Sequence, residues 1–330
     1  MQSGKTVSVI GGGSWATAIV KILSNNSDRI IWWLRSHESV AHIQANRHNP
    51  NYLSDVEIDL AKVTPTNDLA SAITSADLVI LAVPSAFLES TLSNVNGLRN
   101  KVIFSAIKGI VPGPLQIVGE YLHQLHQIPY EQIGVITGPC HAEEVALEKL
   151  SYLTIACQDT AHAALLAGMM NCRYIRTTVS DDIYGTEYSA VIKNIIAIAS
   201  GICHGLGYGD NFQSVLVSNA IQEIKRFVDT VSPIARDIKD SAYLGDLLVT
   251  AYSQFSRNRT FGSMIGKGYS VKSAQMEMNM VAEGYYAVKC IAELNLKYQV
   301  DLPICHAVNE ILYHNANPRA TMQALSLKLK

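Results

Sequence analysis

Val7-Ser8-Val9-Ile10-Gly11-Gly12-Gly13-Ser14-Trp15-Ala16-Thr17 is the stretch that decides the fold. An apolar run from Val7 to Ile10 feeds directly into Gly11-x-Gly13-x-x-Ala16, and apolar residues at helical spacing continue from Thr17 to Leu23. A strand, a glycine turn and a helix start in that order make a dinucleotide pocket. Gly11 permits the tight turn, Gly13 lets the backbone approach a pyrophosphate, and Ala16 keeps helix and strand close. The pyrophosphate then rests on the helix N-terminus, where unpaired amides and the helix dipole favour an anion. A bare structural turn is the plainer alternative. The next strand, Ile30 to Leu34, ends in Trp33-Leu34-Arg35-Ser36. An acidic residue there would hold the ribose 2′-hydroxyl of NAD, whereas an arginine accommodates a 2′-phosphate. Arg35 therefore favours NADPH and leaves NADH open, with a solvated arginine closing a strand as the alternative.

Outward from that stretch, short β-rich runs alternate with helical patterns from residue 5 to about 177. Leu78 to Val83, Val102 to Ala106, Ile133 to Thr137 and Tyr152 to Ala156 read as buried strands. Such alternation implies a parallel sheet with helices on both faces. After about residue 180 the strand signal fades and helical spacing takes over, in Tyr188 to Ile202, Asn211 to Val228, Ala282 to Leu294 and Ala307 to Tyr313. Pro233, Pro303 and Pro318 fall at expected breaks, and Gly205-x-Gly207-x-Gly209 and Gly262, Gly266 and Gly268 punctuate the helices. The expected fold is an α/β N-terminal domain of Rossmann type with a mostly parallel sheet, residues 1–180. An all-α C-terminal domain, residues 181–330, follows it.

The chain has 330 residues, of which 48% are hydrophobic and 16% charged, enough to bury two cores. Its formal net charge is −2, and its lysines and arginines are scattered rather than gathered in the stripe that nucleic acid demands. Lys193 and Asn194 interrupt the best candidate for a membrane span, and the Val7 to Ile10 run is too short for a signal peptide. A cytoplasmic location is expected. The cysteines at 140, 157, 172, 203, 290 and 305 form no C-x-x-C pair, and the ten histidines show no zinc-type spacing with them. Reduced thiols and no metal are expected.

Ligands of open α/β sheets bind beyond the carboxyl ends of the strands. Three polar segments lie there: Val83-Pro84-Ser85, Ala106-Ile107-Lys108-Gly109 and Thr137-Gly138-Pro139-Cys140-His141. Further along, Lys193 stands in Ala190-Val-Ile-Lys-Asn-Ile-Ile-Ala-Ile-Ala199, a helix so apolar that the ammonium either snorkels out or enters a polar site. Lost hydration would lower its pKa toward the operating pH and suit it to general acid or base work. Asp246 is a lone carboxylate in Leu244-Gly-Asp-Leu-Leu-Val249 that needs a partner if buried, with Lys193 the obvious candidate. The alternative makes it an N-cap after Gly245. Ser256-Arg257-Asn258-Arg259-Thr260 gathers two guanidinium groups, an amide and two hydroxyls, which fits a phosphate or carboxylate unless it is a solvated basic turn. Lys108 adds a positive charge for a carbonyl oxygen or phosphate, and Glu283 opens a helix at Val281-Ala-Glu-Gly284, where an acid is favourable in any case.

Together these segments closely resemble the bacterial NAD(P)-dependent glycerol-3-phosphate dehydrogenase family: Gly11-x-Gly-Ser-Trp-Ala16, Ile107-Lys-Gly109, Gly138-Pro-x-x-Ala142-Glu143, Lys193-Asn194, Leu244-Gly-Asp246, Ser256-Arg-Asn-Arg259 and Val281-Ala-Glu-Gly284. The resemblance runs from about residue 5 to residue 313. It implies reversible reduction of dihydroxyacetone phosphate to sn-glycerol 3-phosphate with NADPH or NADH, feeding glycerophospholipid synthesis; separately from the resemblance, the apolar helical domain makes a homodimer the expected assembly. The resemblance also implies Lys193 as proton donor in reduction and acceptor in oxidation, with Asp246 and Lys108 beside it in catalysis. Lys108, Gly138, Lys193, Asp246, Ser256, Arg257 and Asn258 would then meet the substrate, and Gly11, Gly13, Ser14, Trp15, Arg35, Lys108, Ala142, Arg257, Val281 and Glu283 the cofactor. Two positions depart from the pattern. Cys140 replaces the usual serine, a weaker donor, and Asn219 stands where an arginine is usual, which bears on substrate affinity or on a helix contact. A hydroxyacid or sugar-acid dehydrogenase of similar architecture is the nearest alternative, and a nucleotide-sensing protein without turnover is the alternative from another class.

Overall fold

In the computed structural model, which describes residues 4–278 and 282–330, the opening run is strand β1 (Val7–Ile10) and the glycine turn leads into helix α1 (Ser14–Leu23). The alternation continues through β2 (Ile30–Trp33), α2 (His37–Asn46), β3 (Val63–Thr66), α3 (Leu69–Thr74), β4 (Leu78–Leu81), α4 (Ser85–Leu92) and β5 (Val102–Ser105). A hairpin of β6 (Ile110–Val111) and β7 (Gln116–Ile117) interrupts it. There follow α5 (Val118–His126), β8 (Ile133–Thr137), α6 (Ala142–Ala146), β9 (Ser151–Cys157), α7 (Thr160–Met170) and β10 (Ile175–Ser180).

The main sheet has the order β10-β9-β8-β5-β4-β1-β2-β3. From β3 to β8 this is the doubly wound arrangement of a dinucleotide-binding domain, with its switch point between β1 and β4. Every residue of β1, β4 and β8 is buried. Because successive side chains of a strand face opposite ways, both faces of the sheet are covered. Strand β3, which contains Pro65, adds to the strands expected from the sequence; it lies at the sheet's edge, where a missing N–H costs nothing. The expected parallel sheet is reversed at one joint, β8 with β9. The intervening α6 has only five residues.

The first compact unit ends at Ile107 and resumes over Val118–Ile183; the second takes Lys108–Ile117 and Tyr184–Lys330. The hairpin segment, counted with the N-terminal half in the sequence, packs in the second unit because Ile110 and Ile117 are fully buried with Ile195, Ile198 and Val288.

That second unit contains α8 (Ile183–Gly205), α9 (Asp210–Val231), a π-helical turn over Ser241–Gly245, and α10 (Asp246–Tyr252). Then come α11 (Arg257–Gly266), α12 (Val271–Glu277), α13 (Glu283–Tyr298), α14 (Pro303–Tyr313) and α15 (Pro318–Ser326). Pro303 and Pro318 occupy first-turn positions, where proline's missing N–H has no partner to lose. Gly262 and Gly266 do not punctuate helices as expected but lie inside α11. There they let its backbone touch that of α8: a Cβ on Gly262 would stand 2.1 Å from Ile198 O, and one on Gly201 2.1 Å from Arg259 O. Only glycine permits so close a crossing.

Candidate active site

Lys193 sits in a stretch of α8, Val191 to Ser200, that is buried at every position, and is itself 4% exposed. Its ammonium pairs with Asp246 Oδ1, so the snorkelling alternative falls. Asp246 is the first residue of α10 and 1% exposed. The N-cap alternative falls too, since Gly245 holds that position and no side chain caps the helix. Lys108 Nζ lies 3.5 Å from Asp246 Oδ2, so two ammonium groups converge on one carboxylate. Burial lowers the Lys193 pKa from 10.5 to about 7; Asp246 opposes that shift and Lys108 adds to it. An amine poised there can give or take a proton near neutral pH.

Asn194, next to Lys193, donates from Nδ2 to Lys108 O at 2.9 Å and so ties the Lys108 segment to α8. The α8–α11 crossing sets Asn258 alongside. Asn258 is 8% exposed, and its Oδ1 accepts from Gly284 N at 2.9 Å. Gly284 follows Glu283, which opens α13 as expected. A Cβ on Gly284 would meet Asn194 O at 2.7 Å and Asn258 Oδ1 at 2.9 Å, so a glycine is what lets α13 begin against α8 and α11. Ser256 is the N-cap of α11, its hydroxyl accepting from Arg259 N at 3.3 Å. Arg257, the first residue of that helix, is exposed. Val281 lies outside the described residues.

The first unit carries the other expected site. Gly11 has φ +142°, and a Cβ there would stand 2.3 Å from Ala82 O, just beyond β4. The glycine turn thus lies at the switch point of the sheet. Gly13 caps α1 in extended conformation with no side-chain cap, and nothing lies within 4 Å of a Cβ placed on it. Ser14 and Trp15 open that helix, half-buried. Arg35 is exposed between β2 and α2. Gly138 has φ +112° and abuts Tyr152 O, 2.8 Å from where its Cβ would be, and Ala142 opens α6. Thr137 Oγ1, buried at the end of β8, has no hydrogen-bond partner among the described residues. An open, uncapped helix start beside a glycine turn, with a guanidinium exposed after the second strand, fits a dinucleotide.

Two residues that brace this turn were not legible. Trp32 Nε1 donates to Gly11 O at 2.7 Å, and Asn49 Nδ2 to Gly12 O at 3.0 Å and Thr17 Oγ1 at 2.9 Å. Trp32 reads as one more apolar strand residue, and Asn49-Pro50 as a turn; neither signals a distant backbone carbonyl. The two departures also have places. Cys140 is buried in the segment after β8, and Asn219, on α9, donates to Lys330 O at 2.7 Å and accepts from Lys330 N at 3.2 Å. Asn219 makes a helix contact, to the backbone of the C-terminal segment.

Sequence comparison matches residues 6–163 to the N-terminal and residues 182–323 to the C-terminal family description of NAD-dependent glycerol-3-phosphate dehydrogenase. A glycerol-3-phosphate dehydrogenase (NAD(P)+) 2 of Salinibacter ruber is 34% identical over 323 residues, 97% of this chain and 94% of the relative. One from Staphylococcus aureus is 32% identical over 322 residues, 97% of both. Among solved structures, the glycerol-3-phosphate dehydrogenase of Coxiella burnetii superposes with a TM-score of 0.90 at 26% identity, covering 97% of this chain and 98% of that one. A D-mandelate dehydrogenase with NADH shares the fold more loosely, with a TM-score of 0.60 at 18% identity, covering 94% and 98%. With both halves matched in order and relatives aligned along nearly the whole length, the chain belongs to the NAD-dependent glycerol-3-phosphate dehydrogenase family.

Proposed function

We propose that this protein catalyses the reversible reduction of dihydroxyacetone phosphate to sn-glycerol 3-phosphate, with Lys193 as proton donor in reduction and acceptor in oxidation. The observation that carries the reading is the ammonium of Lys193, buried in an apolar helix against Asp246 with Lys108 beside it. A lysine placed so has no role in packing that a leucine would not fill better.

Gly11, Gly13, Ser14, Trp15, Arg35 and Ala142 would hold NADPH or NADH, with Arg35 meeting the 2′-phosphate of the former. When bound, the dinucleotide supplies the hydride in reduction and takes it in oxidation. Lys193 Nζ gives its proton to the carbonyl oxygen as the new C–H bond forms, and recovers one from the hydroxyl in reverse. Asp246 keeps that ammonium charged and aimed. Lys108 stabilises negative charge growing on the oxygen. The guanidinium of Arg257 and the amide of Asn258, with Ser256 at the same helix start, would grip the phosphate. Binding energy from a group that does not react thereby orients the one that does.

The protein is further read as a cytoplasmic homodimer. Among the described residues no helix is long and apolar enough to cross a membrane. The second unit exposes Leu248, Tyr252, Phe255 and Tyr269, the kind of apolar surface that a subunit interface covers; sedimentation at the mass of one chain would remove the dimer.

The test follows nicotinamide absorbance with dihydroxyacetone phosphate and with unphosphorylated dihydroxyacetone. Turnover should demand the phosphate, and Lys193→Ala should lower kcat by about 10²- to 10⁴-fold with dinucleotide affinity retained. Near-normal turnover in that variant would take the lysine out of the reaction.

A further inference from the structure

We propose that His42 and His48, on the first unit, form a two-imidazole site for a divalent transition metal of the Zn2+, Ni2+ and Cu2+ class. Their Nε2 atoms face each other at 3.3 Å, with the rings edge to face at 78°. A metal bound by two nitrogens at about 2.0–2.1 Å in tetrahedral geometry holds them about 3.3–3.4 Å apart. The two atoms therefore already stand at the separation that such an ion requires.

The chemistry of the rings agrees. His48 Nδ1 lies 2.8 Å from Asn46 O. A carbonyl only accepts, so Nδ1 of the neutral ring carries the hydrogen and Nε2 presents its lone pair toward His42, an assignment that rests on the hydrogen-bond network. Metal-binding histidines are commonly held this way, with the remote N–H donated to a carbonyl that fixes ring and tautomer. His42 Nε2–H then donates to His48. On binding, His42 takes the tautomer protonated at Nδ1, and the metal replaces the shared hydrogen with no net loss of protons.

The pair is also held in place from both sides. His42 lies on α2, and Arg47 ends that helix with φ 60°, its N–H on Ile43 O at 2.8 Å, which turns the chain back so that His48 faces the helix. Ile58 N donates to Arg47 O at 2.7 Å, and the next residue, Asn49, is 1% exposed and fastened to Gly12 and Thr17. Both rings are half-buried and reachable from solvent. Among the described residues no cluster of three or more His, Cys, Asp and Glu groups is arranged for a metal. Water or an added ligand thus completes the coordination, which suits imidazole-binding ions that follow the usual affinity order. The arrangement differs from the zinc patterns sought in the sequence, having no cysteine and drawing its rings from opposite sides of a helix end.

Equilibrium dialysis against Zn2+ should show the full-length protein taking up one equivalent more than the double variant His42→Gln/His48→Gln. Each single variant should weaken that equivalent by about 10²-fold, because the second ligand binds intramolecularly. With Cu2+, electron paramagnetic resonance should resolve two imidazole nitrogens in the wild type and one in each single variant. Equal Zn2+ uptake by wild type and double variant, or a copper spectrum without the paired nitrogens, overturns the site and leaves the two rings as a hydrogen-bonded couple. Should the double variant not fold, histidine resonances of the wild type decide: Zn2+ must shift the signals of these two residues, and unshifted signals refute the proposal.

Discussion

Asp246→Asn probes the arrangement most sharply, because it removes one charge while keeping nearly the same volume. At 3.5 Å from Lys108 Nζ, and at an effective dielectric constant of about 20, the carboxylate attracts that ammonium alone by about 5 kcal/mol. It also opposes the discharge of Lys193, on which burial and Lys108 both act the other way. Without it, Lys193 gives up its proton at neutral pH rather than remain a buried charge without its partner. Reduction needs the charged form, so its rate in the wild type falls as pH rises through the Lys193 pKa, and in the variant this limb moves to lower pH. At neutral pH kcat should drop by about 10²- to 10⁴-fold, the worth of a positioned general acid. Acidification should then restore part of the loss, whereas Lys193→Ala should stay low at every pH. The assay is NADPH oxidation with dihydroxyacetone phosphate across a pH series, with circular dichroism confirming the fold. A variant with wild-type turnover and an unmoved limb would show that Asp246 does not hold the proton on Lys193.

Three other perturbations address the surrounding structure. Arg35→Ala should raise the KM for NADPH by about 10- to 100-fold, the worth of a charge-assisted hydrogen bond, and leave that for NADH little changed; equal losses for both would count against a 2′-phosphate contact. Gly262→Ala forces a methyl group toward Ile198 O, where only 2.1 Å is open, so stability should fall by about 1–3 kcal/mol with a lower Tm and reduced turnover; an unchanged Tm would mean that α8 and α11 do not cross backbone to backbone. Glu223 is fully buried on α9, and its two oxygens accept from Ile304 N and Cys305 N at 2.9 Å each, serving the first turn of α14. Burial raises its pKa from 4.5 to about 7 against those hydrogen bonds, so the native state holds a proton that the unfolded chain has released. The contribution is full below pH 4.5 and is lost as pH rises toward about 7, a difference of about 3 kcal/mol. Urea titrations should show this slope in the wild type and not in Glu223→Gln, and identical slopes would remove Glu223 as its source.

What could be read from the chain was what violated its local surroundings. Three glycines after a buried strand are conspicuous, and so are Lys193 and Asp246, each a charge set among aliphatic residues. The energy needed to bury such a charge is what makes it visible one residue at a time. Features that depend on where distant segments meet left no such mark. Lys108 follows a strand and reads as part of the N-terminal half, yet Ile110 and Ile117 carry its segment into the helical core. Asn49 looks like a turn residue until the fold sets its amide against Gly12 O. The reversal at the β8–β9 joint left no mark either, because a strand, a helix and a strand follow one another there in the same pattern as at the parallel joints.

Gly262 and Gly266 mark the limit most clearly, because the property that misled is the one that works. Read singly, a glycine in a helical pattern weakens the helix and suggests a break. In the fold the absent side chains are a fit to the backbone of α8: Gly266 meets Ile202 O and Gly262 meets Ile198 O, each at a separation no Cβ tolerates. The crossing fixes α11 against α8 with little freedom to slide, so Asn258 at the start of one helix is held at a set distance along the other from Lys193 and Asn194. Gly284 repeats the device for α13. The local cost of glycine in a helix, about 1 kcal/mol each, is what permits three helices to approach closely enough to bring Asn194, Asn258 and the start of α13 together.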